Sequence, residues 1–324
     1  MKTTYLGIPL RSPVVVSSSP YTAALPRIER CAAQGAGAVV LKSIFEEQIL
    51  RHAAALERVS QPGMGDAGEY LGRYLGDAYR EEFLRLVRDA VTTEIPVIAS
   101  INCIVSSAEW VDYAAAMAAE GAAAIELNIF FQPADRRLSA AELERSYADT
   151  VRRVVAAVPV PVSVKLPVRL TNVLHLADAL LARGARGAVL FNRYFEPDID
   201  VERMTFVSGD PYSEPGELRN VLRSTALCAA ALPQLDLAVS TGVHDGAAAV
   251  KALLCGARAV QVCSAIHRRG YGAIGEIDRY IDDWALRHGF GSVEEFRGRM
   301  NCDRDADDVF RRVQFMRYFP HDAE

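Results

Sequence analysis

Eight short apolar runs, alternating with stretches of helical spacing, set what this chain can fold into. The runs are Pro13–Ser17, Ala38–Ser43, Pro96–Asn102, Ala124–Leu127, Pro161–Leu166, Gly187–Asn192, Leu235–Ser240 and Ala259–Ser264. Each is nearly continuous in hydrophobicity rather than alternating, as expected of a strand buried on both faces of a parallel sheet. Helical spacing occupies Leu25–Gln34, Asp77–Thr92, Ser107–Glu120, Ser139–Val158, Asn172–Arg183, Leu218–Leu232 and Ala247–Leu254. Ser139 and Glu142 have the spacing of a capping box. Four helices end in the same dipeptide, at Gly35-Ala36, Gly121-Ala122, Gly184-Ala185 and Gly256-Ala257, each just before a strand. A glycine there supplies the left-handed residue that stops a helix and turns the chain back. Eight such units predict a (β/α)8 TIM barrel rather than a doubly wound sheet. A hairpin over Tyr5–Leu10 should precede the barrel. Tyr280–His288 and Val293–Met300 read as helices outside the repeat. The chain is expected to be a single domain, with the barrel over about 13–270 and a helical tail over about 273–324.

Composition narrows the chemistry. The net charge of −5 gives no general attraction for nucleic acid or an anionic membrane surface. The six cysteines, Cys31, Cys103, Cys228, Cys255, Cys263 and Cys302, include no Cys-x-x-Cys pair. That argues against a zinc site or an iron–sulfur cluster of the chain's own, and suits buried free thiols in a reducing compartment. His52, His175, His244 and His267 are scattered and form no metal motif, so no metal site is assigned. No apolar signal region opens the chain and no run reaches membrane-spanning length, so a cytoplasmic protein without a membrane span is expected.

In a parallel barrel every strand's carboxyl end opens on one face, where chemistry is done. The polar residues that should collect there are Ser17, Ser18, Lys42, Ser43, Ser100, Asn102, Asn128, Lys165, Asn192, Ser240, Thr241, Cys263 and Ser264. A single serine in such a place is most often a solvated strand end. A lysine directly after buried apolar residues is more informative, because an ammonium at a barrel mouth wants an anion or an electron-rich ligand. Lys42 and Lys165, with the three asparagines, predict a cationic cup rich in hydrogen-bonding groups. Small residues at Ser240-Thr241-Gly242 and Cys263-Ser264 stand after the seventh and eighth strands, where such barrels bind phosphate. Glu126, inside an apolar strand, is balanced between a structural ion pair and a functional role. Two long connections, Ile44–Tyr74 and Phe195–Glu217, are candidate lids.

Taken in order, Pro13 to Pro20, Gly37–Ser43, Ile125-Glu126-Leu127-Asn128-Ile129, Pro161–Lys165 and Gly256–Val262 resemble the dihydroorotate dehydrogenase family, the flavin-binding barrels of pyrimidine metabolism. The resemblance runs to about Gly270, and Phe290–Gly298 looks like the tail of the related dihydropyrimidine dehydrogenase barrels. It implies bound FMN. Ser17 and Ser18 would lie along the isoalloxazine. Lys42 and Ser43 would reach flavin or substrate, and Lys165 would sit at the edge where reduced flavin carries negative charge. Asn102, Asn128 and Asn192 would hydrogen-bond flavin or substrate. Ser240, Thr241, Gly242, Cys263 and Ser264 would hold the phosphate. Lys42, Asn128, Lys165 and Asn192 would be the catalytic set.

The chain departs from the family's pattern where the fourth strand ends. The family places a Cys or Ser base shortly after the strand's asparagine and an asparagine after the proline; here the run is Asn128-Ile129-Phe130-Phe131-Gln132-Pro133-Ala134. Phe131 falls at the base position and cannot accept a proton, a loss worth roughly 10²–10⁴ in rate. Tyr194, Tyr212 and Cys103 are candidate replacements. The family's asparagine-bearing loop is replaced by Pro62-Gly63-Met64-Gly65-Asp66, and Arg193 follows Asn192 where a small hydroxyl residue is usual. Four functions remain open: an FMN-dependent oxidoreductase with an altered substrate or proton donor, dihydroorotate dehydrogenase with another base, a flavin-binding or flavin-free subunit docking to an electron-transfer complex, and an aldolase-like phosphate barrel with Lys165 as Schiff-base lysine. The implied partners are a small pyrimidine-like molecule and either a second copy of the chain or an electron-transfer subunit.

Overall fold

A computed structural model of the chain describes residues 1–45, 80–103, 109–129, 131, 135–193 and 196–301. The hairpin strands β1 (Thr3–Tyr5) and β2 (Ile8–Leu10) come first, paired antiparallel. Eight parallel strands follow: β3 (Val14–Val16), β4 (Ala38–Val40), β6 (Val97–Cys103), β7 (Ala124–Ile129), β8 (Val162–Pro167), β9 (Gly187–Asn192), β12 (Asp236–Ser240) and β13 (Ala259–Val262). Their order is β4-β3-β13-β12-β9-β8-β7-β6, and β4 pairs again with β6, which closes the ring. The two-residue strand β5 (Ile44–Phe45) extends the β6 edge. The fold is a (β/α)8 barrel, as the eightfold repeat predicts.

Helices α1 (Leu25–Ala33), α2 (Glu109–Ala119), α3 (Ala140–Ala157), α4 (Val173–Ala182), α5 (Leu218–Ala231) and α6 (Gly246–Leu254) cover the outside, with a further helical run over 80–90. Ser139 and Glu142 close the capping box at α3, and Asn172 caps α4 by accepting the His175 N–H. Gly35, Gly121, Gly184 and Gly256 all take positive φ, between 91° and 112°, so the repeated Gly-Ala pairs are left-handed helix stops.

Side-chain alternation along the strands sorts the core into two bodies. One set, including Val14, Val39, Val97, Ile125, Leu127, Val164, Leu190 and Val260, packs outward against the helices. The other, Val15, Ala38, Val40, Ile98, Ala124, Val189, Ala238 and Ala259, fills the barrel together with Tyr5, Leu6 and Leu10 of the hairpin. The hairpin therefore plugs the amino-terminal end of the barrel. Asp236 anchors it, accepting the Leu6 N–H at 2.7 Å while paired with Arg258 at 2.6 Å.

Two sequence expectations change. The excursion after β9 contains a free-standing hairpin, β10 (Pro197–Asp200) with β11 (Thr205–Ser208), whose Ile199, Met204 and Phe206 are exposed. Beyond β13 the chain forms α7 (Ser264–Arg269), α8 (Gly272–Arg287) and α9 (Val293–Phe296). The helix expected at 280–288 thus begins eight residues earlier, at Gly272, because its buried face continues through Ala273, Ile274 and Ile277. The expected helix to Met300 stops at Phe296, where Arg297 adopts a ψ of 129°. The tail beyond 301 and most of Ile44–Tyr74 lie outside the described residues. No described helix is long and apolar enough to cross a membrane. Cys31 and Cys228 are buried free thiols, and burial pushes both up to about 12.

Candidate functional site

The interior residues become polar toward the carboxyl end of the barrel. Register places Ser100, Glu126 and Ser163 side by side on β6, β7 and β8; Asn102, Asn128 and Lys165 form the next level up. Each of these strands alternates, so Ile101, Leu127 and Val164 between the two levels point to the helices. The result is a two-storey polar wall inside an otherwise apolar barrel.

Lys165 is buried, with 6% of its surface exposed. Its Nζ donates to Ser17 Oγ at 2.9 Å and to Gln261 Oε1 at 3.1 Å. Gln261 Nε2 in turn donates to Glu126 Oε2 at 2.6 Å. Burial pushes Lys165 below the ordinary lysine range, against the opposing pull of the Glu126 charge. Burial likewise pushes Glu126 above the usual carboxylate range, with Lys165 and the Gln261 amide opposing it. Across the cup, Asn192 Nδ2 donates to Asn128 Oδ1 at 3.0 Å. Asn102 Oδ1 is buried and has no hydrogen-bond partner among the described residues. Ser18, Ser43 and Ser100 form a hydroxyl chain, with Oγ–Oγ distances of 3.0 and 2.7 Å.

The rim after β12 and β13 is built differently. Thr241 and Gly242 both take positive φ, 77° and 78°. The β-branched Thr241 is strained there, and its Oγ1 donates to the Phe191 carbonyl at 2.9 Å. A Cβ on Gly242 would come within 2.5 Å of the Leu218 nitrogen, so the start of α5 packs directly on this turn. The Gly242 N–H donates to Ser213 Oγ at 3.2 Å. Ser213 Oγ also lies 3.1 Å from both Ser264 Oγ and His244 Nε2. Ser240 is buried beneath, and Cys263 occupies the N-cap position of the short helix that starts at Ser264.

Ser17, Ser18, Lys165, Asn192, Ser240, Thr241, Gly242, Cys263 and Ser264 line one cavity of about 150 Å³. Cofactor sites usually exceed about 300 Å³. Pro211 and Ser213, from the connection before α5, share its lining and narrow it. A second cavity, about 280 Å³, adjoins it across Asn192, Arg193 and Thr241, with Arg169, Glu196 and Glu217 on its far wall.

Lys42 departs from the expectation of a two-lysine cup. It is exposed and borders, with Ser43, a separate cavity of about 360 Å³ against the helical run over 80–90. That cavity is roomier but has no buried cation. The polar wall around Lys165 is the better site, because among the described residues only there do a buried ammonium and an unpartnered amide oxygen occur on one wall.

A dihydroorotate dehydrogenase B (NAD(+)) catalytic subunit from Methanothermobacter thermautotrophicus is 30% identical over 319 residues, covering 92% of this chain and 97% of the relative. The chain belongs to the dihydroorotate dehydrogenase family. The corresponding subunit from Pyrococcus abyssi is 26% identical over 90% of this chain and 96% of its own length. The chloroplastic dihydropyrimidine dehydrogenase (NADP(+)) of Arabidopsis thaliana is 24% identical over 92% of this chain and 76% of its own length. No protein-family model matches the chain.

Of the family-type positions named from sequence, Ser17, Asn128, Lys165 and Asn192 lie in one polar cup. Ser240, Thr241, Gly242, Cys263 and Ser264 form its rim, while Lys42 stands apart. Phe131 is half-buried and packs edge-on against Tyr147 with ring centroids 5.0 Å apart. Tyr212 stacks on His267 at 3.5 Å. Tyr194 and the side chain of Cys103 lie outside the described residues. Gln261 and Ser213 also line the cavity and His244 touches Ser213, none of them expected there from the sequence. Gln261 carried a usable signal, a lone amide in the apolar run Ala259–Val262; Ser213 and His244 carried none.

Proposed function

We propose that this dihydroorotate dehydrogenase-family barrel is an FMN-dependent oxidoreductase acting on a small pyrimidine-like substrate, with the family's usual proton acceptor replaced. The observation that carries the proposal is the cup itself. Lys165 is buried and fixed by Ser17 and Gln261, and the unpartnered Asn102 Oδ1 offers an acceptor for a planar N–H edge. Such donors and acceptors suit the edge of an isoalloxazine ring. FMN would supply hydride acceptance. Lys165 would stabilise the negative charge that reduction leaves on the ring edge, by a fixed ammonium in a water-poor setting. Asn128 and Asn192, already paired with each other, would orient the substrate or the ring. Ser240, Thr241, Gly242, Cys263 and Ser264 would hold the phosphate, for which the Gly242 N–H and the Ser264 hydroxyl must exchange Ser213 for a phosphate oxygen.

Phe131 favours a second function. With an aromatic ring packed on Tyr147 at the base position, the chain would bind flavin and pass electrons as a subunit without oxidising dihydroorotate. Two measurements separate these. Purified protein should be yellow and release FMN on denaturation; a colourless protein that takes up no FMN would overturn both. Anaerobic mixing with dihydroorotate should then bleach the flavin slowly, while no bleaching selects the electron-transfer subunit or another substrate.

A further inference from the structure

Gln261 sits between a cation and a carboxylate, and its amide has one way round. An ammonium has no acceptor and a carboxylate no donor, so the oxygen must face Lys165 and the nitrogen Glu126. The distances agree: 3.1 Å from Lys165 Nζ to Oε1, and 2.6 Å from Nε2 to Glu126 Oε2. Glu126 is completely buried, and its second oxygen has no hydrogen-bond partner among the described residues. A lone carboxylate in such a place is costly unless a charge compensates it. The lysine one storey above is that charge. Gln261 is what joins the two groups.

We propose that Glu126 is a positioning residue that, through the Gln261 amide, holds Lys165 as an ammonium aimed into the cup. Without it, burial alone would drive Lys165 toward the neutral amine and leave nothing to meet an anionic ring edge. The other titratable groups facing the pair do not replace Glu126. Cys263, at the end of β13, stands near Lys165, but burial raises its thiol. Tyr5, from the plugging hairpin, faces Glu126 from below; burial holds its phenol well above the usual range, so it stays neutral. Asp236 lies beyond Tyr5, paired with Arg258. Among the described residues, Glu126 alone supplies the countercharge.

The relay rests on Lys165 being the cationic wall of the proposed cofactor site, but its test does not need the cofactor. The chain has only four lysines, Lys2, Lys42, Lys165 and Lys251. Protein carrying ¹³C,¹⁵N-labelled lysine therefore gives four side-chain signals, and Lys165→Arg identifies the one that matters. Glu126→Gln preserves the acceptor for Gln261 and removes only the charge. It should lower the titration midpoint of Lys165 by about one unit or more. Gln261→Met, which keeps the charge and removes the bridge, should lower it as well. The double variant should shift it no further than the larger single change, because both act along one path. An unchanged midpoint in Glu126→Gln, or fully additive shifts, would overturn the relay. Should Glu126→Gln fail to fold, an unchanged midpoint in Gln261→Met does the same. The lysine spectrum reads the relay whether or not FMN is retained, so a colourless protein would sink the cofactor and leave the relay standing.

Discussion

The two ends of the cavity are held by different means. At the cup, Lys165, Asn128, Glu126 and Gln261 project from barrel strands, and the parallel register fixes their spacing. At the rim, Thr241 and Gly242 are held in left-handed turns by the start of α5, and Ser213 arrives from an irregular connection to complete the hydrogen bonds. The cup carries charge on the buried Lys165 and Glu126, with Asn128 and Asn192 half-buried beside them; the rim is neutral and depends on close backbone approach. Substitutions at the cup should therefore change what binds, and substitutions at the rim should change stability first.

Lys165→Ala gives the sharpest break. Losing a buried, charge-assisted donor should weaken FMN retention about 10- to 100-fold, measured by flavin fluorescence titration. Retention no weaker than in the unaltered protein would remove Lys165 from the site. Raising the pH should reproduce that loss more gently. Because burial lowers the folded-state value from 10.5, the ammonium is lost at lower pH than in an ordinary lysine. Retention should be complete below the folded value and fall as pH rises through it. The stability effect has the opposite sign. Between the folded value and 10.5 the unfolded chain binds more protons, so this group's contribution to stability rises with pH there.

At the rim, Gly242→Ala places a Cβ 2.5 Å from the Leu218 nitrogen at a φ of 78°. It should cost about 1–3 kcal/mol, read in chemical denaturation, with FMN affinity altered less than by Lys165→Ala. A larger loss of affinity than of stability would make the rim a charge-reading site after all. Arg152→Ala, on the outer face of α3 with Asp149 3.8 Å away, should leave both measurements unchanged.

Much of the scaffold was legible beforehand because it is local. Strand runs, the Ser139–Glu142 capping box and the four glycine stops depend on neighbours within a few residues, and all appear where expected. Lys165 was legible for a related reason: a lysine at the end of a buried run has few places to go. Lys42 has the same local pattern yet lies exposed, because the strand pairing ends at Val40 and the lysine is already beyond it. The hairpin at 197–208 lies in a connection that the sequence marks only as a candidate lid, since its strands are short and mostly exposed.

Gln261 shows where sequence reasoning stops. It lies 135 residues from Glu126, on a strand four places away around the barrel, and meets it only because the sheet closes. Ser213 and His244 likewise meet only when the connection before α5 folds over β12. By itself the sequence determined the repeat, the barrel and the polar strand ends, because hydrophobic periodicity and helix stops are short-range. Only the tertiary structure decided which lysine faces the cup, which carboxylate balances it and which hydroxyl narrows the rim. Those choices are made by burial and by contacts across the ring, and no spacing along the chain encodes them.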